Sequence, residues 1–467
     1  MRLLMSATNI PNEYSRWSKE LGSDIISFSL PGQTIVVLNS INAAEDLLSK
    51  RSSIYSDRPR VGTTMATSER LAGWANSTGI LPYGERWRTQ RRMTHEALNK
   101  RASQDLWPVI VKNSRLALQK LLDNPDGFET HFRQMAGSSI IKVVYGYEAT
   151  ASNDILFETV SDAVDGFSRA IIVSNFYVNL VPWLQYIPAW FPGAQWKRKA
   201  IAWQWQKDQM LNVPYDWTRD KMAAGTAPPS MLRRLLSKDA ENQSKKDEDI
   251  MRWATGTLFG AGNDTTVATS LIFIVAMAMH PEVQVKAQAE IDSVLRGSRL
   301  PDIDDKESMP YVQAIVKEVF RWRSVTPLGA AHASIEEDVY KGYRIPKGAT
   351  IIANQWAISN DKMLYSSPER FNPDRFLDPS TPEAPVFGFG RRSCPGIHFA
   401  QAALFMVASG MLSCFDIRPK YDCKGHPIPL RADMKDNTLI SQPNSFEVDI
   451  KPRSEKQEQL LRAWVDI

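Results

Sequence analysis

The sequence predicts a mainly α-helical fold with small β-sheets, an α+β arrangement organised as one large domain around a long central helix. Three observations predict it. Residues 250–279 form an apolar stretch of helical length, closed by His280-Pro281. Residues 24–39 and 338–354 hold short runs rich in β-branched residues, broken at Pro31-Gly32, at Gly342 and at Pro346-Lys347-Gly348. No Pro/Gly/Ser-rich linker divides the 467 residues, so a single domain over 1–467 is expected.

The elements follow in chain order. Residues 24–39 read as two strands joined by Pro31-Gly32, and residues 41–50 as a helix. Glu85 to Ala97 has the spacing of a basic amphipathic helix, and residues 105–122 give another. Residues 171–193, IIVSNFYVNLVPWLQYIPAWFPG, are apolar and aromatic, but Pro182, Pro188 and Pro192 prevent a spanning helix. They read as a buried connection or, preferentially, as a surface loop entering a membrane interface, where Trp and Tyr are favoured. The charged run 237–249 reads as a solvated loop. The helix from Ile250 to Met279 would extend about 45 Å at 1.5 Å per residue. It ends because the residue before a proline avoids helix, and Pro281 suits the first position of the next one. Residues 311–323 form a further helix, and Gly396 to Ser413 an apolar one behind a glycine-rich loop.

Composition removes several function classes. Hydrophobic residues make up 43% and charged residues 23%, which is ordinary for a globular chain. The net charge of +4 comes without a long basic run, so no nucleic-acid partner is expected. Three cysteines, Cys394, Cys414 and Cys423, fit a reducing compartment and contain no CxxC pair, which excludes a zinc ribbon. The six histidines form no HExxH. Met1–Met5 is apolar, but Asn9, Asn12, Glu13, Arg16 and Lys19 interrupt any span of about 20 apolar residues. No transmembrane segment is therefore expected in this chain.

Four motifs carry chemistry. The first is Phe387-Gly-Phe-Gly-Arg-Arg-Ser-Cys394-Pro-Gly396. Its glycines let the backbone fold tightly and approach a flat ligand. Cys394 precedes a helix N-terminus, where free N–H groups stabilise a thiolate, and a thiolate is an iron ligand. The second is Ala261-Gly262-Asn-Asp264-Thr265-Thr266, inside the central helix. Gly262 costs roughly 1 kcal/mol there against alanine, consistent with a tolerated glycine or with a local opening of the helix over a ligand. Asp264 and Thr265 place an acid beside an alcohol, suited to relaying protons. The third is Glu318-x-x-Arg321, one face of a helix, followed downstream by Arg375 in Phe371-Asn-Pro-Asp-Arg375-Phe376. The fourth is Trp87 with Arg91, four residues apart and so on one helix face; His332 stands alone after the Pro327 turn.

The pattern F-x-x-G-x-R-x-C-x-G fixes five positions, a chance match of roughly 10⁻⁴ or rarer per chain. It resembles the haem-binding loop of the cytochrome P-450 family. The other motifs lie in that family's order from residue 87 to 396, so the resemblance covers nearly the whole chain. RWRSVTPLGAAHAS and YKGYRIPKG resemble fungal microsomal members. The hydrophobic anchor and Pro-rich hinge of those members are not found at the start of this chain. By the resemblance, Cys394 is the axial ligand of haem b (heme b, iron-protoporphyrin IX). Trp87, Arg91, His332 and Arg392 would contact its propionates, with Phe387, Gly396, Ala261 and Gly262 around it. Glu318, Arg321 and Arg375 would form a buried structural cluster.

The resemblance implies a monooxygenase that inserts one atom of O2 into a lipophilic small molecule, such as a fungal terpenoid or polyketide. Asp264 and Thr265 would relay the protons. Electrons would come from a separate NADPH-dependent reductase, with Arg88, Arg92, Lys100 and Arg101 available as a docking face. The parent protein would sit on the cytosolic face of the endoplasmic reticulum, with peripheral membrane contact through 171–193. Substrate contacts are expected from residues 62–83, 257–266, 326–333 and about 437–443. The alternatives are a haem-thiolate isomerase or dehydratase needing no reductase, and a non-enzymatic haem or lipid binder.

Overall fold

A computed structural model describes residues 9–30, 32–60, 62–149, 155–238, 244–436 and 438–465. Twelve helices of seven or more residues dominate these residues. They are α1 (Ile10–Leu21), α2 (Glu85–Leu98), α3 (Trp107–Asp123), α4 (Phe128–Tyr145), α5 (Ile155–Ala170), α6 (Gln195–Ala223), α7 (Met231–Ser237), α8 (Lys245–Met279), α9 (Pro281–Leu295), α10 (Pro310–Trp322), α11 (Ile397–Cys414) and α12 (Glu455–Ala463). A four-stranded sheet sits apart from the main helical core. In it β1 (Ile25–Leu30) pairs antiparallel with β2 (Gln33–Leu38), and β2 pairs parallel with β6 (Thr350–Ala353). The edge of β6 takes β3 (His332–Ala333). The hairpins β4 (Asp338–Tyr340) with β5 (Tyr343–Ile345) and β7 (Phe415–Pro419) with β8 (Val448–Pro452) complete the strands.

The central helix is longer than its apolar pattern. It begins at Lys245, because Ser244 and Asp247 form a reciprocal capping box and Asp247 and Glu248 favour the positive end of the helix dipole. The second half of the charged run is thus the first turn of α8 and not a loop; residues 239–243 lie outside the described residues. At 35 residues it runs about 52 Å. From Ile250 to Ala278 it is buried on nearly every side, since α2, α4, α5, α6, α10 and α11 all pack on it. The helix expected over 41–50 changes pitch: Ile41–Ala44 is α and Glu45–Lys50 is π.

Small residues set how close the neighbours of α8 come. A Cβ at Gly262 would lie 2.9 Å from Ile140 Cγ1 of α4, and one at Gly260 3.0 Å from Val164 of α5. Both α8 and α11 are long and apolar enough to cross a membrane, yet both are mostly buried inside the protein.

Residues 171–193 form short 3₁₀ turns on the surface. Tyr177, Trp183, Tyr186, Trp190 and Phe191 are exposed, Trp190 by 79%. The alternative of a buried connection is therefore overturned for these rings, because the prolines break the segment into short turns; Val178 and Asn179 alone of it are fully buried.

Candidate active site

Two adjoining cavities lie between α8, the Cys394 loop and the four-stranded sheet. The larger, about 290 Å³, is lined by Ala261, Gly262 and Thr265 of α8, by His332, and by Phe387, Arg392, Cys394 and Gly396. The smaller, about 200 Å³, shares Arg58, Leu328, Gly329 and Ala330 with it and extends to α1 and to residues 171–174. Thr63, Thr67, Gly79, Ile80, Leu258, Thr326 and Leu439 line one or the other, so all four segments expected to contact substrate reach these cavities. Asn437 lies outside the described residues.

Cys394 sits two residues before Gly396, the N-cap of α11. Its backbone N–H donates to Phe387 O at 2.7 Å, closing the loop, and its side chain is exposed to the cavity deep inside the molecule. Burial pushes the thiol up, while the Gly396 N–H and the Arg91 charge pull it down. Gly388 and Gly396 line the cavity, whereas Gly390 serves packing. Gly390 has φ +52°, and a Cβ there would meet Leu48 O at 2.2 Å. Phe387 packs edge-on against Phe320, ring centroids 5.0 Å apart.

Two guanidiniums, Arg58 and Arg392, line one side of the larger cavity with Arg91 behind them, and none of the three has a salt-bridged carboxylate among the described residues. Arg392 donates to Ser56 O at 2.8 Å and Leu81 O at 2.7 Å. Arg91 donates to Ser393 O at 2.5 Å, and Arg58 to Gly79, Ala330 and Ala331 carbonyls at 2.7–2.8 Å. Desolvation, aided by the Arg58 charge, pushes Arg392 down to about 8, and desolvation takes Arg58 to about 10, in both cases against the opposing charge of Asp57. His332 is buried on the cavity wall, and its Nδ1 lies 2.7 Å from Tyr55 O, which fixes Nδ1–H as the donor. Desolvation and the Arg58 charge bring it down to about 3, so the imidazole is neutral.

Trp87 does not line the cavity. It lies beneath Arg392, whose Cζ is 4.3 Å from the ring, and it buttresses that guanidinium. Arg91 likewise reaches Ser393 and is not among the cavity-lining residues. Arg58 was not singled out from the sequence. Its setting, Asp57-Arg58-Pro59, has the look of a solvated turn and carries no periodicity that marks burial.

In α8 the hydroxyls of Thr265, Thr266, Thr269 and Ser270 each donate to the carbonyl four residues back, at 2.7–2.9 Å. The helix stays hydrogen-bonded throughout, so the local opening expected at Gly262 is absent; this glycine admits Ile140 instead. Thr265 faces the cavity, whereas Asp264 turns to the opposite side of the helix. Asp264 accepts from Asn263 at 2.7 Å and Ser161 at 3.3 Å, and it pairs with Arg133 at 3.5 Å. Desolvation outweighs these partners and pushes its carboxyl up to about 6.

Away from the cavity, Arg321 donates two bonds to Glu318, both 2.7 Å, with neither side chain exposed. Arg375 approaches Glu318 at 3.3 Å, and the Asn372 N–H donates to it at 2.8 Å. This cluster ties α10 to the segment that leads to the Cys394 loop.

A soft anionic ligand candidate in a large apolar slot, flanked by unpaired guanidiniums, fits a flat, iron-bearing group that carries carboxylates. The profile of the cytochrome P-450 family matches residues 1–447. Cytochrome P-450 monooxygenase COX2 of Coprinopsis cinerea is 40% identical over 94% of this chain and 85% of its own length. Cytochrome P-450 monooxygenase 208 of Postia placenta is 39% identical over 98% and 89%. Tryptamine 4-monooxygenase of Psilocybe cyanescens is 34% identical over 95% and 88%. The chain belongs to the cytochrome P-450 family. It is an oxidoreductase of the monooxygenase class, and its family is one of haem-thiolate proteins.

Proposed function

We propose that the chain acts as a single haem domain that hydroxylates a lipophilic small molecule of fungal secondary metabolism with O2. The observation that supports this best is the placing of the Cys394 thiol and the Arg58 and Arg392 guanidiniums on one cavity whose lining holds no carboxylate. Cys394 would ligate the iron of haem b, and Arg58, Arg392 and neutral His332 would receive its propionates. Trp87 and Arg91 act behind them, on Arg392 and on the Ser393 carbonyl. When bound, the haem supplies dioxygen activation, which an axial thiolate favours.

The remaining steps belong to the chain's own residues. The apolar walls exclude water and hold the substrate against α8. Thr265, on the cavity wall, accepts and passes a proton at Oγ1. Asp264 holds a proton at its carboxyl on the far side of the helix, where the Ser161 hydroxyl contacts it and Arg133 stabilises its ionised form. Electrons enter from an NADPH-dependent reductase docking on the exposed Arg88, Arg92, Lys100 and Arg101. The exposed aromatics of 177–191 rest in the cytosolic leaflet of the endoplasmic reticulum.

The test is the reduced protein under carbon monoxide. A red-shifted Soret band, lost on Cys394→Ser, is expected. Retention of that band in Cys394→Ser, or its absence from the native holoprotein, sinks the reading.

A further inference from the structure

The walls of both cavities lack any carboxylate. Among the described residues lining them, the charged side chains are the guanidiniums Arg58, Arg323 and Arg392. The adjacent chain outside the described residues, Met1–Thr8, Pro31, Val61 and Asn437, contains no Asp or Glu either. A substrate ammonium would therefore lose its water and gain no counterion, which is a large penalty for a buried charge. The carboxylates that the cofactor brings are already matched by Arg58 and Arg392.

The rings are as unevenly placed as the charges. In the larger cavity the aromatic side chains are Phe320, Phe387, Phe389 and Phe399, and all belong to the Cys394 loop or to the helices α10 and α11 beside it. The opposite wall presents Leu258, Ala261, Val325, Leu328 and Ala330, and the smaller cavity continues with Ile171, Ile172 and Leu439. In the larger cavity such a wall offers dispersion and desolvation to a saturated skeleton, while Tyr14 and Phe28 put two rings on the wall of the smaller one.

We infer that this enzyme selects an uncharged substrate and rejects protonated amines. The inference rests on the proposed haem site, because it takes the larger cavity as the place of oxidation. It separates this chain from the Psilocybe cyanescens relative, whose name gives it an amine substrate.

The experiment compares two ligands of one skeleton, 1-adamantanol and N,N,N-trimethyl-1-adamantylammonium, binding to the holoprotein. Binding is followed by the spin-state change of the haem and by calorimetry. The alcohol is expected to bind at least about 10-fold more tightly. Leu258→Glu, which places a carboxylate on the wall, is expected to narrow or reverse that ratio. Equal or tighter binding of the ammonium by the native protein overturns the inference, as does failure of the alcohol to bind. A Leu258→Glu protein that keeps the red-shifted carbon monoxide band and the native ratio overturns the role given to the wall. Loss of that band in the native protein fails the haem reading instead, and calorimetry with the same pair still reports the charge preference of the cavity.

Discussion

Arg133 of α4 and Asp264 of α8 meet across a helix crossing at 3.5 Å, back to back with the cavity that Thr265 faces. Two neighbours in sequence thus serve two compartments, one beside the substrate and one facing outward. Burial holds the Asp264 carboxyl at about 6 against its ordinary 3.8, so the folded chain binds this proton more tightly than the unfolded chain. The charge therefore opposes folding fully above about pH 6, and the penalty is relieved as pH falls from about 6 towards 4. Each pH unit of elevation is worth about 1.4 kcal/mol. Asp264→Asn is expected to raise Tm at pH 7.5 and to lose that advantage near pH 4.5, while turnover falls about 10²-fold. A thermal melt series against pH checks the first part, and a variant whose advantage grows on acidification contradicts it. In Thr265→Ala the haem spectrum should persist while reducing equivalents escape as peroxide.

At the same crossing, Gly262 accommodates Ile140. Gly262→Ala gains helix propensity of about 1 kcal/mol but must displace the Ile140 side chain, at a typical cost of about 1–3 kcal/mol. Ile140→Ala alone leaves a void. The double variant should be more stable than the sum of the two changes allows. Denaturant midpoints for the four proteins give the coupling, and strict additivity would show that the glycine is not there for Ile140.

Arg321→Lys keeps the charge opposite Glu318 but gives up the two-pronged bond and the bond to Ser359 O. Breaking such a buried pair costs about 3–5 kcal/mol. The variant should be recovered mainly as insoluble or haem-free protein. Native-like yield and Tm would contradict the structural role.

Arg58→Gln removes one of the unpaired guanidiniums. Loss of haem to an acceptor apoprotein should accelerate about 10-fold, roughly the loss of one charge-assisted hydrogen bond. An unchanged rate removes Arg58 from the cofactor site.

Trp183→Ser with Trp190→Ser removes two exposed rings from the 171–193 surface, 64% and 79% exposed respectively. Sedimentation with phosphatidylcholine vesicles should fall several-fold, with the carbon monoxide band unchanged. Equal sedimentation of the two proteins argues against this loop as the contact.

What could be read from the sequence followed from local rules. The Pro281 boundary, the strands around Gly342 and the apolar helix after Gly396 all depend on neighbours within a few residues. The start of α8 was misplaced because an apolar pattern cannot see a polar first turn held by Ser244 and Asp247. Helix α4 escaped notice because it is buried on most of its circumference, so its side chains show little periodicity. Helix α6 contains Pro214, which reads as a break. Within the site, the family resemblance pointed to Ala261, Gly262 and Thr265, and all three line the cavity. It could not show that Asp264 points away or that Trp87 stands behind Arg392, because orientation depends on which helices pack where.

The cluster of Arg58, Arg91 and Arg392 has one more consequence. If these residues hold the haem, the chain without it gathers three like charges in a poorly solvated place with only Asp57 near enough to offset them. The empty protein therefore pays an electrostatic penalty that loading removes, which ties maturation to porphyrin supply. Cells making the polypeptide faster than haem should accumulate a loosened form that proteases clear first.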